Sequence, residues 1–398
     1  MDPEAMDFPT PESDVDSVTP QALKAQIDGG EDVTLLDVRM QSEYEEWHIE
    51  GESVESYNVP YFEFLDEEID GAVLADLPDE EMTVLCAKGG ASEFVAGALA
   101  DRGYDVDHLA EGMNGWASIY EAHRVEAYDG AGTLLQYQRP SSGCLGYLLY
   151  DGDEAAVIDP LRAFTDRYLA DAESFGAELT YAFDTHVHAD HVSGLRELAA
   201  DGVEGVLPAP AVDRGVTYAD EVTVADDGDR FAVGGATIEA VYTPGHTTGM
   251  TAYLVDGSLL ATGDGLFVES VARPDLEEGD EGAPEAARLL YDSLQERVLT
   301  LDDEVLVGGA HYSEAAEPAP DGTYTAPLAA LKDRMDALSL EKEAFVEVVL
   351  EDMPPRPANY EQIIATNLGR NTVDDQKAFA LELGPNNCAA SQDALTSD

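Results

Sequence analysis

The chain has 398 residues, of which 44% are hydrophobic and 8% aromatic, so it is long enough for two or three globular domains and too apolar for wholesale disorder. Asp and Glu number 83 against 20 Lys and Arg, a formal net charge of -63. This charge argues against nucleic acid and anionic membrane surfaces as partners, because both repel an acidic protein.

The charge also predicts the working environment. Self-repulsion destabilises a compact fold unless concentrated salt screens it, over a Debye length of about 3 Å at molar ionic strength. The N-terminus has neither a basic start nor an apolar core, and no run approaches the length of a membrane span. We therefore expect a cytoplasmic protein of a halophile, in a salt-rich cytoplasm.

The first part of the chain predicts an α/β domain over residues 19–120, after a polar lead at residues 1–18. Apolar runs at 33–38 and 82–86 predict buried strands, and the segment after the second run has helical spacing that ends at Gly103. Such alternation predicts a parallel sheet. A turn-rich segment at 121–132 predicts a linker.

The second part, residues 133–385, begins with a predicted hairpin at 144–160 whose strands are joined by a DGD turn. Further strands are predicted at 179–183, 237–242, 251–255, 259–262 and 305–307, and helices at 165–175, 284–298 and 326–349. Residues after about 379 are polar and predict a frayed end, with a polar tail at 386–398.

Histidines and aspartates cluster in loops that follow the predicted strands of the second part. Glycine stands beside several of them, which allows the close backbone approach that a compact metal site requires. The candidates are His186, His188, Asp190 and His191 in T-H-V-H-A-D-H, His246 in T-P-G-H-T, Asp264 in A-T-G-D-G and His311 in G-G-A-H-Y. A single histidine is usually a surface or hydrogen-bonded core residue, and that interpretation is kept for His48, His108 and His123.

These motifs make residues 134–330 resemble the metallo-β-lactamase superfamily, which implies an αββα sandwich with metal at one edge of the sheets. In dinuclear members, the equivalents of His186, His188 and His246 hold one metal. Those of Asp190, His191 and His311 hold the other, and the equivalent of Asp264 bridges the two.

Three further motifs, A-R-P-D-L at 272–276, L-L-Y-D-S-L at 289–294 and S-G-C-L-G-Y at 142–147, resemble the persulfide dioxygenase branch. That branch implies one Fe(II) held by His186, His246 and Asp264 alone, a set that leaves coordination positions open for substrate and O2. It implies oxidation of a thiol persulfide to sulfite and free thiol. The alternative is a thioester hydrolase of glyoxalase II (hydroxyacylglutathione hydrolase) type with two Zn or Fe ions.

The resemblance also suggests roles around the metal. The ligand-type residues beyond the three ligands, Asp190 among them, would orient the ligands and tune their basicity. Arg273 is expected to grip a carboxylate of the thiol carrier through its planar guanidinium. The stretch 353–360 and residues 367–369 either close over the site or simply pack.

Cys86 ends a predicted strand and is followed by A-K-G-G-A and Ser92, where a helix is expected to start. Backbone N–H groups of such a loop and the helix N-terminus would stabilise a thiolate or an anionic persulfide. Cys144 and Cys388 lack this context and are expected to be packing or surface residues. With no C-x-x-C pair, the three cysteines suggest neither a disulfide framework nor a zinc–thiolate site.

The Cys86 loop lies among L-L-D-V-R, E-Y-E-E-W-H-I-E-G and E-G-M-N-G-W, which together resemble the rhodanese homology domain over residues 19–117. The resemblance implies a sulfurtransferase in which Cys86 carries sulfane sulfur and Gly89, Gly90 and Ser92 bind substrate. Alanine stands at 91, where the family commonly has arginine, so Lys88 is the only cation of the loop.

A sulfur carrier joined to this metal domain favours sulfur chemistry over thioester hydrolysis. The predicted protein is a persulfide dioxygenase that acts on a low-molecular-weight thiol persulfide and O2 and forms sulfite or thiosulfate. A homo-oligomer is compatible with the sequence. A non-catalytic sulfur or metal sensor is the third alternative.

Overall fold

The computed structural model describes residues 13–65, 69, 71–313, 315–351 and 353–390. The chain divides into two compact units, one covering residues up to 120 together with 139–141, the other 121–138 and the residues from 142 onward. Residues 1–12 of the predicted lead and 391–398 of the predicted tail lie outside the described residues. Among the described residues, no helix combines the length and the hydropathy of a transmembrane span.

The first unit alternates strands and helices, as the sequence predicts. Its elements are β1 (Ser17–Val18), α1 (Pro20–Asp28), β2 (Val33–Asp37), α2 (Gln41–Glu46), β3 (Val54–Asn58), α3 (Gly71–Ala75), β4 (Met82–Leu85), α4 (Gly90–Ala100), β5 (Val106–Leu109) and α5 (Gly112–Ala117), with a 3₁₀ turn at Tyr61–Phe64.

All strands of the first unit pair in parallel, in the order β1-β5-β4-β2-β3, which confirms the predicted parallel sheet. Apolar side chains cover both faces of the sheet, as a parallel sheet between helices requires. The Cys86 loop leaves the central strand β4 and enters α4, so Cys86 lies at the carboxyl edge of the sheet.

The second unit contains two sheets and the remaining helices. Its strands are β6 (Glu121–Arg124), β7 (Thr133–Arg139), β8 (Cys144–Asp151), β9 (Glu154–Ile158), β10 (Glu178–Phe183), β11 (Glu204–Pro208), β12 (Thr223–Ala225), β13 (Arg230–Val233), β14 (Ala236–Tyr242), β15 (Thr251–Val255), β16 (Leu259–Gly263), β17 (Leu306–Gly309) and β18 (Ala326–Pro327). Its helices are α6 (Thr165–Ser174), α7 (Leu195–Ala200), α8 (Ala209–Asp213), α9 (Gly279–Ser293), α10 (Leu328–Arg334), α11 (Lys342–Glu351), α12 (Tyr360–Asn367) and α13 (Asp375–Leu381), and α9 continues as a π-helix at Leu294–Val298.

The two sheets pack face to face, with strand orders β12-β11-β10-β9-β8-β7-β6 and β13-β14-β15-β16-β17-β18. One apolar core joins them, including Ile158 and Phe183 of the first sheet and Tyr253 and Leu259 of the second. A second core lies between the other face of the second sheet and helices α9 to α11, while α6 and α7 contact the first sheet. The predicted αββα sandwich is confirmed.

Strand direction explains where the candidate ligands meet. Strand β14 is antiparallel to β15, β15 is antiparallel to β16, and β16 is parallel to β17, so β14, β16 and β17 point the same way. Their carboxyl ends therefore lie at one edge of the second sheet, and His246, Asp264 and His311 follow these three ends.

Three expectations about elements differ from the structure. The segment 326–349 is not one helix: α10 ends at an extended Met335, and a 3₁₀ turn at Asp336–Ser339 separates it from α11. The expected linker includes β6, which pairs with β7. The C-terminal end is not frayed through residue 390, because Cys388 is fully buried and the N–H of Ala390 donates to the carbonyl of Val271.

Candidate functional site

The ring of His186 is oriented by the residue before it. The Thr185 hydroxyl donates to Asp159 Oδ2 (3.0 Å) and lies 2.9 Å from His186 Nδ1. A hydroxyl has one hydrogen, so once it donates to the carboxylate its oxygen accepts from His186 Nδ1–H. The protonated Nδ1 leaves a lone pair on Nε2 of His186.

The ring of His246 is oriented in the same way by the backbone. Its Nδ1–H donates to the carbonyl of Arg273 (2.9 Å), which again leaves the lone pair on Nε2. Gly245 allows this placement: it has a φ of 149°, and an added Cβ would lie 2.3 Å from Leu290 Cα on helix α9. A residue with a side chain would push the His246 loop away from the helix.

Asp264 completes a three-residue group with these two histidines. Its Oδ2 lies 3.6 Å from His186 Nε2 and 3.4 Å from His246 Nε2, while its Oδ1 accepts from His311 Nδ1 (2.6 Å). The three facing atoms are buried and have no hydrogen-bond partner in the described part of the chain. Three lone pairs that face one another without a hydrogen between them repel, and a cation among them removes that repulsion.

The protonation of the group suits a metal. Burial lowers the pKa of His186 well below its usual range and lowers that of His246 as well, so both rings are neutral. Burial would raise the pKa of Asp264, but the neighbouring histidines, His311 first among them, bring it below its usual range. Two neutral imidazoles and one carboxylate are the ligand types that bind Fe(II) or Zn.

Beside this group, Asp190 accepts hydrogen bonds from three side chains at one oxygen. Its Oδ2 lies 2.7 Å from His311 Nε2, 3.1 Å from His191 Nδ1 and 3.2 Å from Cys144 Sγ. Burial would lower the pKa values of His311 and His191, but the adjacent carboxylates raise both well above their usual range. His311 is therefore a cation that bridges Asp190 and Asp264.

The second histidine of the H-x-H-x-D-H motif belongs to a different group. His188 Nε2 lies 3.1 Å from Asp159 Oδ1, and its ligand atoms group with Asp159 and Asp184 rather than with His186. Asp159 thus contacts both His188 and Thr185 and fixes the start of the loop. His186 and His188 are close together in the motif, but in the fold His186 faces Asp264 and His188 contacts Asp159.

The side chain of Arg273 does not have the environment expected from the sequence. It is 1% exposed, and its guanidinium donates to Asp275 (2.7 and 3.1 Å) and to the carbonyls of Pro355 and Asn387. These protein acceptors take up the guanidinium N–H groups that were expected to bind a substrate carboxylate. The backbone of Arg273, rather than its side chain, contacts the candidate metal group, because its carbonyl accepts a hydrogen bond from His246 Nδ1–H.

Sequence reasoning missed the contacts by which two residues hold the candidate site. Thr185 orients His186, as described above. Asn367 of α12 donates to the carbonyls of His188 (3.0 Å) and His191 (2.8 Å) and accepts from the N–H of Ser193 (3.0 Å). No local pattern marks a residue about 180 positions away as the partner of a loop, although the sequence does place Asn367 in a segment expected to approach the site.

In the first unit, Cys86 lies in a cradle of backbone groups. The N–H of Gly89 points to Cys86 Sγ (3.1 Å), and the Ser92 hydroxyl lies 3.4 Å from the sulfur. Gly112, with a φ of 57°, packs so closely that an added Cβ would lie 2.1 Å from the Cys86 carbonyl oxygen. The adjacent segment therefore supports the loop by direct backbone contact, and Cys86 is 5% exposed.

The other residues of this loop divide by exposure. Lys88 and Gly90 are exposed, whereas Gly89 and Ser92 are buried. Ala91 is 8% exposed and packs in the apolar core that includes Cys86. The loop thus presents Lys88 at its rim, and the small side chain at 91 is accommodated in the core.

Comparisons with known proteins assign both parts of the chain. Residues 141–311 match the metallo-beta-lactamase superfamily profile, and residues 19–119 match the rhodanese-like domain profile. The mitochondrial persulfide dioxygenase ETHE1 of Homo sapiens is 29% identical over 240 residues, which is 59% of this chain and 87% of that protein.

A hydroxyacylglutathione hydrolase of Rhodospirillum rubrum is 32% identical over 237 residues, covering 57% of this chain and 82% of that protein. The crystal structure of ETHE1 from Myxococcus xanthus superposes with a TM-score of 0.50 at 30% identity and covers 59% of this chain and 98% of that chain. The similarity therefore includes both enzyme types that the sequence motifs suggest.

Proposed function

Because the chain belongs to the metallo-β-lactamase superfamily and carries a rhodanese-like domain, we propose that it is a persulfide dioxygenase with a sulfurtransferase domain. The proposed reaction converts a low-molecular-weight thiol persulfide, O2 and water into sulfite and the free thiol. The terminal sulfur loses four electrons and one O2 accepts them, so one O2 is consumed for each sulfite.

The group of His186, His246 and Asp264 carries the proposal. This group favours one Fe(II), because the neighbouring ligand-type residues form hydrogen bonds with one another. Both ring nitrogens of His311 donate, one to Asp190 and the other to Asp264. A second metal that bound His311 would have to displace one of the two N–H protons that this ring donates to the carboxylates. When bound, Fe(II) supplies the redox chemistry that couples a persulfide to O2.

The surrounding residues have separate tasks in this proposal. The Arg273 carbonyl and the Thr185 hydroxyl hold the two imidazoles with Nε2 toward Asp264. His311 holds a proton between the two carboxylates. The other oxygen of Asp190, Oδ1, is buried and without a partner among the described residues, so it can accept a hydrogen bond from the water that the reaction consumes.

Cys86 has the proposed role of sulfane sulfur carrier in the first unit. A persulfide on Cys86 would receive hydrogen bonds from the Gly89 N–H and from the start of α4, which favour the anionic form. It would either deliver sulfane sulfur as persulfide or transfer it to sulfite. The second transfer gives thiosulfate and the Cys86 thiolate, and it needs no oxidant or reductant.

A thioester hydrolase with two Zn or Fe ions is the second candidate. The hydroxyacylglutathione hydrolase relative favours it, and so does the proximity of Asp190, His191 and His311, whose ligand atoms lie within 4.8 Å of one another in a group with Cys144. In this case His186, His246 and Asp264 would hold one metal and Asp190, His191 and His311 the other, and the metals would supply the activation of water as the nucleophile.

Metal analysis with two activity assays separates the candidates. One iron per chain with O2 uptake on a small persulfide supports the dioxygenase, and two ions with thioester cleavage support the hydrolase. Asp264→Asn should abolish iron binding, whereas Asp153→Asn, at an exposed turn, is the matched control. A chain with neither activity after anaerobic iron loading would contradict both candidates and favour a non-catalytic sensor.

A further inference from the structure

The second unit has a cavity of roughly 660 Å³, and parts of its wall belong to or pack against the loops of the candidate metal site. Its lining includes Thr248, which follows His246 by two residues, and Leu276, which packs in one apolar cluster with Ala189 of the histidine loop. This volume lies within the range of small-molecule sites, about 300–1,000 Å³. The size of the cavity therefore suits a small thiol carrier, and Thr248 and Leu276 connect its wall to the loops of the candidate metal site.

Four of the eight charged side chains in the cavity wall are paired with one another. Five carboxylates and three guanidinium groups line it, a far higher share of cations than in the whole chain. Arg214 pairs with Glu277 (2.9 Å) and Arg356 pairs with Asp275 (2.9 Å). These two cations are satisfied within the wall and are poor anchors for a ligand.

One cation and three anions of the wall have no ion pair among the described residues, and one of these anions, Glu361, accepts a hydrogen bond from the Tyr360 hydroxyl (3.3 Å). Arg370 donates to the Arg214 carbonyl (2.5 Å) and has no carboxylate partner in the described ranges. Asp213 and Glu278 likewise have no ion-pair partner there. An exposed guanidinium that shares a cavity wall with carboxylates lacking an ion pair provides one site for a carboxylate and another for an ammonium group.

We propose that this cavity selects a zwitterionic aminothiol carrier, with Arg370 binding its carboxylate and Glu278 and Asp213 binding its ammonium group. The inference rests on the proposed function and adds its substrate class. A carrier with several phosphates is disfavoured, because the wall offers one guanidinium without an ion pair against three carboxylates without one.

The test compares three persulfides of similar size with different charges: cysteine persulfide carries both groups, cysteamine persulfide only the ammonium, and 3-mercaptopropionate persulfide only the carboxylate. O2 uptake by the iron-loaded full chain gives kcat/KM for each, at the lowest KCl concentration that keeps the protein folded. We expect cysteine persulfide to exceed each of the others by about tenfold, the size of one charge-assisted hydrogen bond.

Two variants assign the contacts. Arg370→Gln should lower kcat/KM about tenfold for the two carboxylate-bearing persulfides and leave cysteamine persulfide unchanged. Glu278→Gln should lower it severalfold for the two ammonium-bearing persulfides only. Arg230→Gln is the matched control, because Arg230 is exposed and pairs with Glu239 on the second sheet, outside the cavity lining.

The outcomes separate this inference from the proposed function. Equal losses on all three persulfides, or no loss on any, would overturn the assignment of Arg370. If no persulfide supports O2 uptake, the proposed function fails, and calorimetric binding of S-methylcysteine, S-methylcysteamine and 3-(methylthio)propionate decides the inference. Preference for S-methylcysteine that is lost in Arg370→Gln supports it, and equal binding of the three overturns it.

Discussion

Replacing Thr185 by valine removes one hydroxyl from behind the candidate metal site at almost constant volume. That hydroxyl connects two buried side chains, Asp159 at 3.0 Å and His186 at 2.9 Å. Without it, the Nδ1–H of His186 loses its acceptor, and the ring is free to take the tautomer or the orientation that withdraws Nε2. Asp159 Oδ2 loses a donor at the same time.

The loss of metal affinity and the loss of folding stability differ in size and are measured separately. Removing a partner that orients a metal-bound histidine typically costs 10–100-fold in metal affinity, or about 1.4–2.7 kcal/mol. Leaving buried polar atoms unsatisfied costs about 1–3 kcal/mol of folding free energy whether or not metal is bound. The affinity loss therefore appears only in iron binding, and the stability loss appears in the metal-free protein.

Iron affinity is measured anaerobically by competition with a chromophoric Fe(II) chelator, and stability by urea unfolding of the metal-free chain. Thr185→Ser is the control, since it keeps the hydroxyl and removes only a methyl group. The reasoning would be refuted if the valine variant bound iron as tightly as wild type, or if serine lost as much affinity as valine.

Three other substitutions and one change of solvent test further parts of the structure. Asn367→Ala should lower the free energy of urea unfolding by about 2–4 kcal/mol, since two loop carbonyls and one N–H lose their partner; a loss below 1 kcal/mol would contradict this. Cys86→Ser should abolish sulfur transfer to cyanide and leave O2 uptake on free persulfide nearly intact, and joint loss would argue against two separable sites. Gly112→Ala should destabilise the chain by about 1–3 kcal/mol and impair the same sulfur transfer, because its Cβ cannot fit beside the Cys86 carbonyl; unchanged transfer would show that the contact is dispensable. The melting temperature should rise from low to multimolar KCl because of the net charge of -63, and equal values would exclude salt-dependent stability.

Periodicity and motif order were sufficient to predict the architecture and the candidate residues. Short apolar runs such as 33–38 and 82–86 predict buried strands, because β-branched residues between turn signals favour a buried sheet. Glycine-flanked His246, Asp264 and His311 each follow a predicted strand, and strand ends are where the loops of an αββα fold carry functional groups. These features are local, so the sequence carries them directly.

Which candidates share a site was decided by the tertiary structure. His186 and His188 look equivalent in the motif, yet only His186 Nε2 faces Asp264, while His188 bonds Asp159. Arg273 looked like a ligand for substrate and is buried against Asp275. Orientation of this kind depends on hydrogen-bond partners that are distant along the chain, and no local pattern records them.

The polar C-terminal residues show the same limit. Their composition predicts a frayed end, but Cys388 is fully buried, and its carbonyl accepts from the N–H of Arg273 (3.2 Å). The sequence by itself determined the two folds and the candidate residues, ligand-type side chains and Cys86 among them, because these depend on periodicity and on side-chain chemistry. Only the folded chain decided how each imidazole is aimed and which charges stay unpaired, because both depend on the distances between side chains that folding brings together.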